Sequence, residues 1–194
     1  MVYSARLDGM RLTFGISGLL YRSNVVLYDR RSGSLWSQLA GAAISGKYSG
    51  RQLVELPSLV TTWASWRRAR PDSSVALAAS LRYSADPYAD YWGSSETMFD
   101  VGPIDTRLPA KALVFGAVVG KLAKAYPLSE FPSTNQVMRD RIGNVKVWLS
   151  RGETSRDFRM TDLTGRRVSG SVMYWFAWSK FHPDTALWAG PAGQ

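Results

Sequence analysis

Few residues in this chain have the types and spacing that catalysis requires. The chain contains one histidine, His182, and no cysteine, which excludes disulfides, thiolate nucleophiles and thiolate metal sites. A metal site would have to rest on carboxylates, whereas structural zinc takes nitrogen and sulfur ligands. We therefore predict no catalytic residue, no cofactor and no metal site. His182 is interpreted as a cation near the carbonyl dipole at a helix end, and a general-base or ligand role for it stays an open alternative.

Four aspartates among aromatic residues offer the one specific enzymatic alternative. They are Asp86, Asp90, Asp100 and Asp105. Paired carboxylates hydrolyse glycosidic bonds, and rings beside them can stack on sugars. Aspartate followed by proline or threonine is also ordinary turn chemistry, which is the interpretation we favour. The chain is accordingly interpreted as a non-catalytic domain with a binding or scaffolding role.

The candidate binding loop lies between positions 83 and 92, where aromatic and acidic residues alternate without a regular period. Its residues are Tyr83, Asp86, Tyr88, Asp90, Tyr91 and Trp92. Such rings form either a rigid platform for a polymer or protein partner or a cover over the core, and both alternatives stay open.

The net charge of +9 and the isoelectric point near 10.0 favour contact with anions. The arginines come in small groups spread along the chain: Arg30 and Arg31; Arg67, Arg68 and Arg70; Arg139 and Arg141; Arg166 and Arg167. Because no single dense block exists, we expect weak, nonspecific anion binding. A dedicated nucleic-acid surface is the less favoured alternative.

Two matching stretches, residues 62–73 and 174–185, indicate an internal repeat. Trp63 and Trp66 recur at a constant offset as Trp175 and Trp178, each pair followed by a proline. Residues three apart share one helical face, so both pairs are predicted to point into the core. We expect a single domain over residues 1–194, made of two related modules, residues 1–105 and 106–194.

Turn signals between short apolar runs predict a β-rich α+β fold in which each module combines hairpins with one short Trp-bearing helix. Asp8-Gly9 accepts the positive φ angles of a tight hairpin turn. The predicted strands cover residues 2–7, 10–16, 25–28, 34–38, 75–79, 113–119, 122–128 and 145–149. Helices are predicted at residues 58–70 and 171–182, and a loop at residues 82–93.

No apolar run approaches the roughly 18 to 20 residues that a membrane helix needs. The longest, residues 112–120, is bounded by Lys111 and Lys121. The first residues also lack the pattern of an export signal. As written, the sequence predicts no membrane span and a cytoplasmic location.

Several long motifs follow one another in an order typical of one bacterial and archaeal family. They are residues 12–21, 33–38, 62–63, 86–88, 107–111 and 125–128. With them the chain resembles the family known as domain of unknown function 3179, over nearly its whole length. The residues that carry the resemblance include Tyr21, Asp29, Trp36, Ser37, Gln38, Trp63, Tyr126 and Pro127.

The resemblance also implies features that this sequence does not contain. Members of the family carry a Cys-Pro-x-Cys-like motif and a histidine motif upstream of the matching region, often behind an export signal or lipid anchor. The chain therefore resembles the carboxy-terminal part of a longer member, a possible fragment whose partner is the upstream half. The alternative function is then an exported or envelope-associated redox or metal-handling protein whose active residues lie upstream.

Overall fold

A computed structural model describes residues 1–75, 86, 88–131, 136–154 and 156–190. Strands account for 40% of the residues and helices for 13%, which confirms the predicted β-rich α+β fold. No described helix is long and apolar enough to cross a membrane. The strand predicted at residues 75–79 lies almost entirely outside the described residues.

Short antiparallel strands make up residues 1–56. They are β1 (Val2–Tyr3), β2 (Arg6–Leu7), β3 (Met10–Arg11), β4 (Phe14–Tyr21), β5 (Asn24–Asp29), β6 (Leu35–Ser37), β7 (Ala42–Ser45) and β8 (Glu55–Leu56). The order β4-β5-β6-β7 forms one sheet, while β1 pairs with β8 and β2 with β3. Asp8 and Gly9 have φ angles of 49° and 79°, so the tight turn between β2 and β3 is as predicted.

Eight further strands form two sheets in residues 113–187. They are β9 (Leu113–Val119), β10 (Leu122–Pro127), β11 (Val137–Ile142), β12 (Val145–Arg151), β13 (Phe158–Asp162), β14 (Arg167–Val168), β15 (Gly170–Tyr174) and β16 (Ala186–Leu187). The sheet orders are β15-β9-β10-β16 and β11-β12-β13-β14. The largest buried cluster joins the two sheets and includes Phe115, Tyr126, Leu149, Phe158 and Trp188.

The described residues form three short α-helices, which are α1 (Trp63–Ala69), α2 (Ala89–Gly93) and α3 (Trp175–Phe181). Of these, α1 and α3 are shorter than the two predicted helices. The first begins only after Thr62, whose hydroxyl caps it by accepting from Ser65 N at 3.1 Å. The helix predicted at residues 171–182 is wrong in its first turn, because residues 171–174 pair with β9 as strand β15. The loop predicted at residues 82–93 contains α2.

Helices α1 and α3 repeat the same local geometry. Each has seven residues, and each ends with a residue whose N–H donates to the carbonyl of the second tryptophan of its pair. Trp66 Nε1 donates to Ser73 Oγ at 2.8 Å, and Trp178 Nε1 donates to Thr185 Oγ1 at 2.9 Å. These matched bonds support the predicted duplication, which stays a prediction together with the two module boundaries.

The burial of the two tryptophan pairs differs, so the prediction that both point inward is wrong. Trp175 and Trp178 are 0% and 2% exposed, whereas Trp63 and Trp66 are 49% and 41% exposed. The cause lies in the sheet beneath α3. Gly116 leaves room for the Trp178 ring, since a Cβ there would lie 2.3 Å from it. No residue of α1 is buried.

Candidate ligand-binding site

Asp86 organises the aromatic rings of the short helix α2. Its Oδ1 accepts the Tyr88 backbone N–H at 2.9 Å, and its Oδ2 accepts Trp92 Nε1 at 2.7 Å. The Trp92 ring meets Tyr88 and Tyr91 edge to face, with centroids 6.3 and 5.7 Å away. Such pairs hold rings in fixed mutual orientation. Trp92 nevertheless stays 50% exposed, so its ring is positioned without being buried.

Tyr91 joins this helix to the second half of the chain. Its ring lies edge-on against Tyr174, the last residue of β15, with centroids 6.3 Å apart. The Lys111 ammonium lies 3.7 Å from the Tyr91 centroid and donates to the carbonyls of Tyr91 and Ser94. Burial, and next the nearby Tyr174, raise the pKa of Tyr91, so its phenol stays neutral at physiological pH.

An open cavity of about 920 Å³ lies beside these rings. Trp92 and Tyr174 provide aromatic walls, and Leu108, Leu113 and Leu128 provide apolar surface. Ligand pockets commonly combine such an apolar lining with a few placed polar groups. The size and lining of this cavity therefore suit a small molecule that carries a ring.

The polar lining of the cavity is cationic. Lys111, Arg151 and Arg156 line it, and no described lining residue is a carboxylate. The two carbonyls that accept hydrogen bonds from Lys111 are uncharged, so its positive charge is not neutralised. Arg151 Nε is buried and has no hydrogen-bond partner within the described part of the chain. A buried unpartnered donor is costly to the folded chain.

The structure brings together four residues of the predicted binding loop: Asp86, Tyr88, Tyr91 and Trp92. Of these four only Trp92 lines the cavity, and Asp90 is exposed on α2. Tyr83 lies outside the described residues. The sequence does not group the cationic residues and Tyr174 into one site, because they lie far apart along the chain and only the fold brings them together.

The remaining aspartates have structural positions. Arg107 donates hydrogen bonds to the Asp105 carboxylate from its Nε and Nη2 atoms, and this hydrogen bonding lowers the pKa of the Asp105 carboxyl. A glycosidase needs one carboxylic acid with a raised pKa, so Asp105 is shifted in the wrong direction for that role. Asp100 accepts the Gly102 N–H at 2.7 Å within a turn.

His182 lies at the end of α3, as predicted, but it is not suited to be a cation. Burial lowers the pKa of its imidazole, which packs against the Trp178 ring at a tilt of 39° with centroids 4.0 Å apart. Together with Glu55 and Tyr3 it lines a separate cleft of about 500 Å³ between the two halves of the chain. Burial also raises the pKa values of Glu55 and Tyr3. Among the described residues, no three metal-ligating side chains lie together.

The motif residues of the first sheet build its core. Asp29 is fully buried, and its carboxylate accepts the N–H groups of Arg31 and Ser32, the Ser32 hydroxyl and Trp36 Nε1. Burial alone would raise the pKa of Asp29, but these hydrogen bonds lower it overall. Trp36 is thereby fixed in the core.

The other motif residues are placed as follows. Ser37 is buried and accepts the Ala40 N–H, and the Gln38 N–H donates to Val25 O. Tyr126 and Pro127 are buried on β10, where burial raises the pKa of Tyr126. Tyr21 packs edge-on against Phe181 and Trp63 lies on exposed α1. None of these residues is among the described residues that line the 920 Å³ cavity.

Comparison with known protein families assigns the chain. A family model described as protein of unknown function, DUF3179, matches residues 1–163, so the chain belongs to this family. The predicted resemblance is thereby confirmed. Neither the curated proteins nor the solved structures contain a match.

Proposed function

We propose that this member of the family is a non-catalytic binding module whose ligand is a small anion carrying an aromatic ring. The observation that supports the proposal is the lining of the 920 Å³ cavity, with three cations, two aromatic walls and no carboxylate among its described residues. A negative group would contact Lys111, Arg151 and Arg156, while its ring would pack against Trp92 and Tyr174.

Two features favour a ring-bearing ligand over a bare anion. The exposed Trp92 ring is already oriented by Asp86, so little conformational freedom is lost when a ligand packs against it. The apolar part of the lining also gains from removal from water, at about 25 cal/mol per Å² of buried apolar area.

Phenyl phosphate is a suitable probe, and isothermal titration calorimetry measures its affinity. Inorganic phosphate tests the contribution of the ring, and benzylamine tests the sign of the charge. We expect phenyl phosphate to bind more tightly than either. Arg156→Gln removes one charged contact and should weaken binding roughly tenfold, given about 1.5 to 3 kcal/mol for a charged hydrogen bond. Arg11→Gln, an exposed arginine of β3, is the matched control and should leave the affinity unchanged.

Equal affinity for phenyl phosphate and benzylamine would contradict the proposal, because the cationic lining would then have no influence. Equal losses in the Arg156 and Arg11 variants would contradict it as well, since binding would depend on net charge and not on the cavity.

A further inference from the structure

The solvent face of the sheet β11-β12-β13-β14 gathers basic residues that are scattered in the sequence. Side chains alternate between the two faces of a strand, so cross-strand partners share a face. One row across all four strands is Arg139, Trp148, Thr161 and Arg167. The neighbouring row Met138, Leu149, Met160 and Val168 points the other way, where Leu149 and Met160 are buried. The first row therefore faces solvent.

Flanking rows add three cations to this face. Arg141 lies opposite Lys146, and Ser150 lies opposite Arg159. Together Arg139, Arg141, Lys146, Arg159 and Arg167 surround Trp148, and all five are exposed. We call these five residues and Trp148 the basic face.

The carboxylates of the same strands lie elsewhere. Asp140 and Asp162 share a row with buried Val147, on the opposite side of the sheet. Asp140 is held there by Lys124 of β10 at 2.6 Å. Arg159 approaches Asp157 at 3.4 Å, and within the described residues the other four cations of the basic face have no ion pair. The face thus keeps nearly all of its positive charge.

This arrangement is unfavourable for the chain alone. Arg141 and Lys146 lie directly opposite each other on neighbouring strands. Like charges in such positions destabilise a sheet. Trp148 is 42% exposed at the centre of the face, so a large part of this apolar residue stays in contact with water. A partner that is both anionic and able to stack on an indole would relieve both costs.

We propose that the basic face binds single-stranded nucleic acid, with a base stacked on Trp148 and backbone phosphates on the surrounding cations. Single strands are bound in this manner by basic surfaces with aromatic side chains, because every base has a stacking face. The strands lie about 4.8 Å apart, so the row from Arg139 to Arg167 extends over roughly 14 Å, enough for a short run of nucleotides. In a duplex the bases are already stacked on one another, so the indole would contact only the backbone.

Fluorescence anisotropy of a labelled 12-nucleotide oligothymidylate tests this proposal. Affinity should fall with salt with a slope of about −2 to −3.5, as expected when three to five phosphates are contacted by a single strand. Trp148→Ala should weaken binding on the order of tenfold, since a stacked base contributes that much. Trp63→Ala, which removes another exposed tryptophan, is the matched control and should bind as the wild type does.

A second pair of variants tests the charges. Arg139→Gln with Arg141→Gln should reduce the salt slope by about 1 to 2, since each phosphate contact on a single strand contributes about 0.7. The double variant Arg11→Gln with Arg31→Gln carries the same net charge and should keep the wild-type slope. Circular dichroism establishes that each variant is folded.

Three results would overturn the proposal. They are equal losses in the two double variants, an unchanged affinity in Trp148→Ala, and a duplex of the same length bound as tightly as the single strand. The first indicates attraction by net charge alone. The second and third indicate a polyanion surface without base stacking, as for an acidic protein.

Discussion

At the scale of single residues, aspartates in this protein orient tryptophans. Asp29 accepts the indole N–H of Trp36, and Asp86 accepts that of Trp92. Trp175 Nε1 donates to the backbone carbonyl of Asp105, whose carboxylate is held by Arg107. Buried indole N–H groups need a partner, and an oriented exposed indole needs one to stay in place. Asp86, one of the four aspartates that suggest a glycosidase in the sequence, therefore has a structural role: it orients a tryptophan.

The lowered pKa of His182 makes stability depend on pH. The unfolded chain binds a proton at the ordinary histidine pKa of about 6.5, whereas the folded chain binds it only at lower pH. The unfolded state therefore holds more protons in that window, and stability should decrease as the pH falls below about 6.5. Urea unfolding at pH 7.5 and pH 5 measures this loss in the wild type and in His182→Gln.

The variant should lose less stability than the wild type between these two pH values, because its side chain does not titrate. Equal losses would show that the imidazole has the same pKa in the folded and unfolded states. Other titrating groups, Glu55 among them, are common to both proteins and cancel in the comparison.

At the scale of elements, the two Trp-bearing helices share a local design but not an environment. Helix α3 packs on β9, where Gly116 accommodates Trp178, and the N–H of Trp175 donates to Ala112 O. Helix α1 is held mainly at its surface, through Arg68 and Glu153. The local sequence thus specifies each helix and its caps. Whether the tryptophans are buried depends on the sheet against which the helix packs.

Truncating the second tryptophan of each pair separates these contributions. Trp178→Ala should cost about 3 to 5 kcal/mol of unfolding free energy, because it leaves a cavity in the core. Trp66→Ala should cost about 1 kcal/mol or less, as for exposed positions. Chemical denaturation of both variants gives the two values. Comparable costs would mean that Trp66 is covered in solution by a surface that the described residues do not include.

The same contrast explains how far the sequence predicted the structure. The hairpin at Asp8-Gly9 depends on local turn chemistry and is confirmed, as are the predicted strands 113–119 and 122–128 that pair around Gly120-Lys121. Residues 171–174 suit either helix or strand, and pairing with β9 decides for a strand. The spacing of the arginines along the chain gives no sign of the basic face. Only the strand register brings Arg139 and Arg167, at the two ends of the sheet, into one row with Trp148.

At the scale of the whole molecule, strand β4 exposes an apolar sheet edge. It is the outer strand of its sheet, and Ile16, Leu19 and Leu20 are 76%, 54% and 54% exposed. Unpaired apolar edges favour association, so the isolated chain should form oligomers as its concentration rises. Ile16→Lys with Leu20→Lys should shift it toward monomer in light scattering. Leu163→Lys, at a turn residue of similar exposure, should not. A wild type that stays monomeric at high concentration would contradict this prediction.

The basic face and the ligand cavity both collect positive charge, and β12 contributes to both. Trp148 and Lys146 lie on the basic face, and Arg151 at the end of the same strand lines the cavity. Eight of the 24 basic residues thus lie at two surfaces of different chemistry, three in the cavity and five on the basic face. The cavity offers walls for one ring, while the basic face is open.

The most direct test of the proposed binding module is the indole N–H resonance of Trp92 during titration with phenyl phosphate. This N–H is held by Asp86 at the edge of the cavity, so a ring packed against the indole must shift its signal in a two-dimensional ¹H–¹⁵N spectrum. We predict a saturable shift of Trp92, accompanied by the backbone signals of Lys111 and Tyr174, and no shift with benzylamine. Unchanged Trp92, Lys111 and Tyr174 signals at phenyl phosphate concentrations that saturate binding in calorimetry would contradict the proposed site.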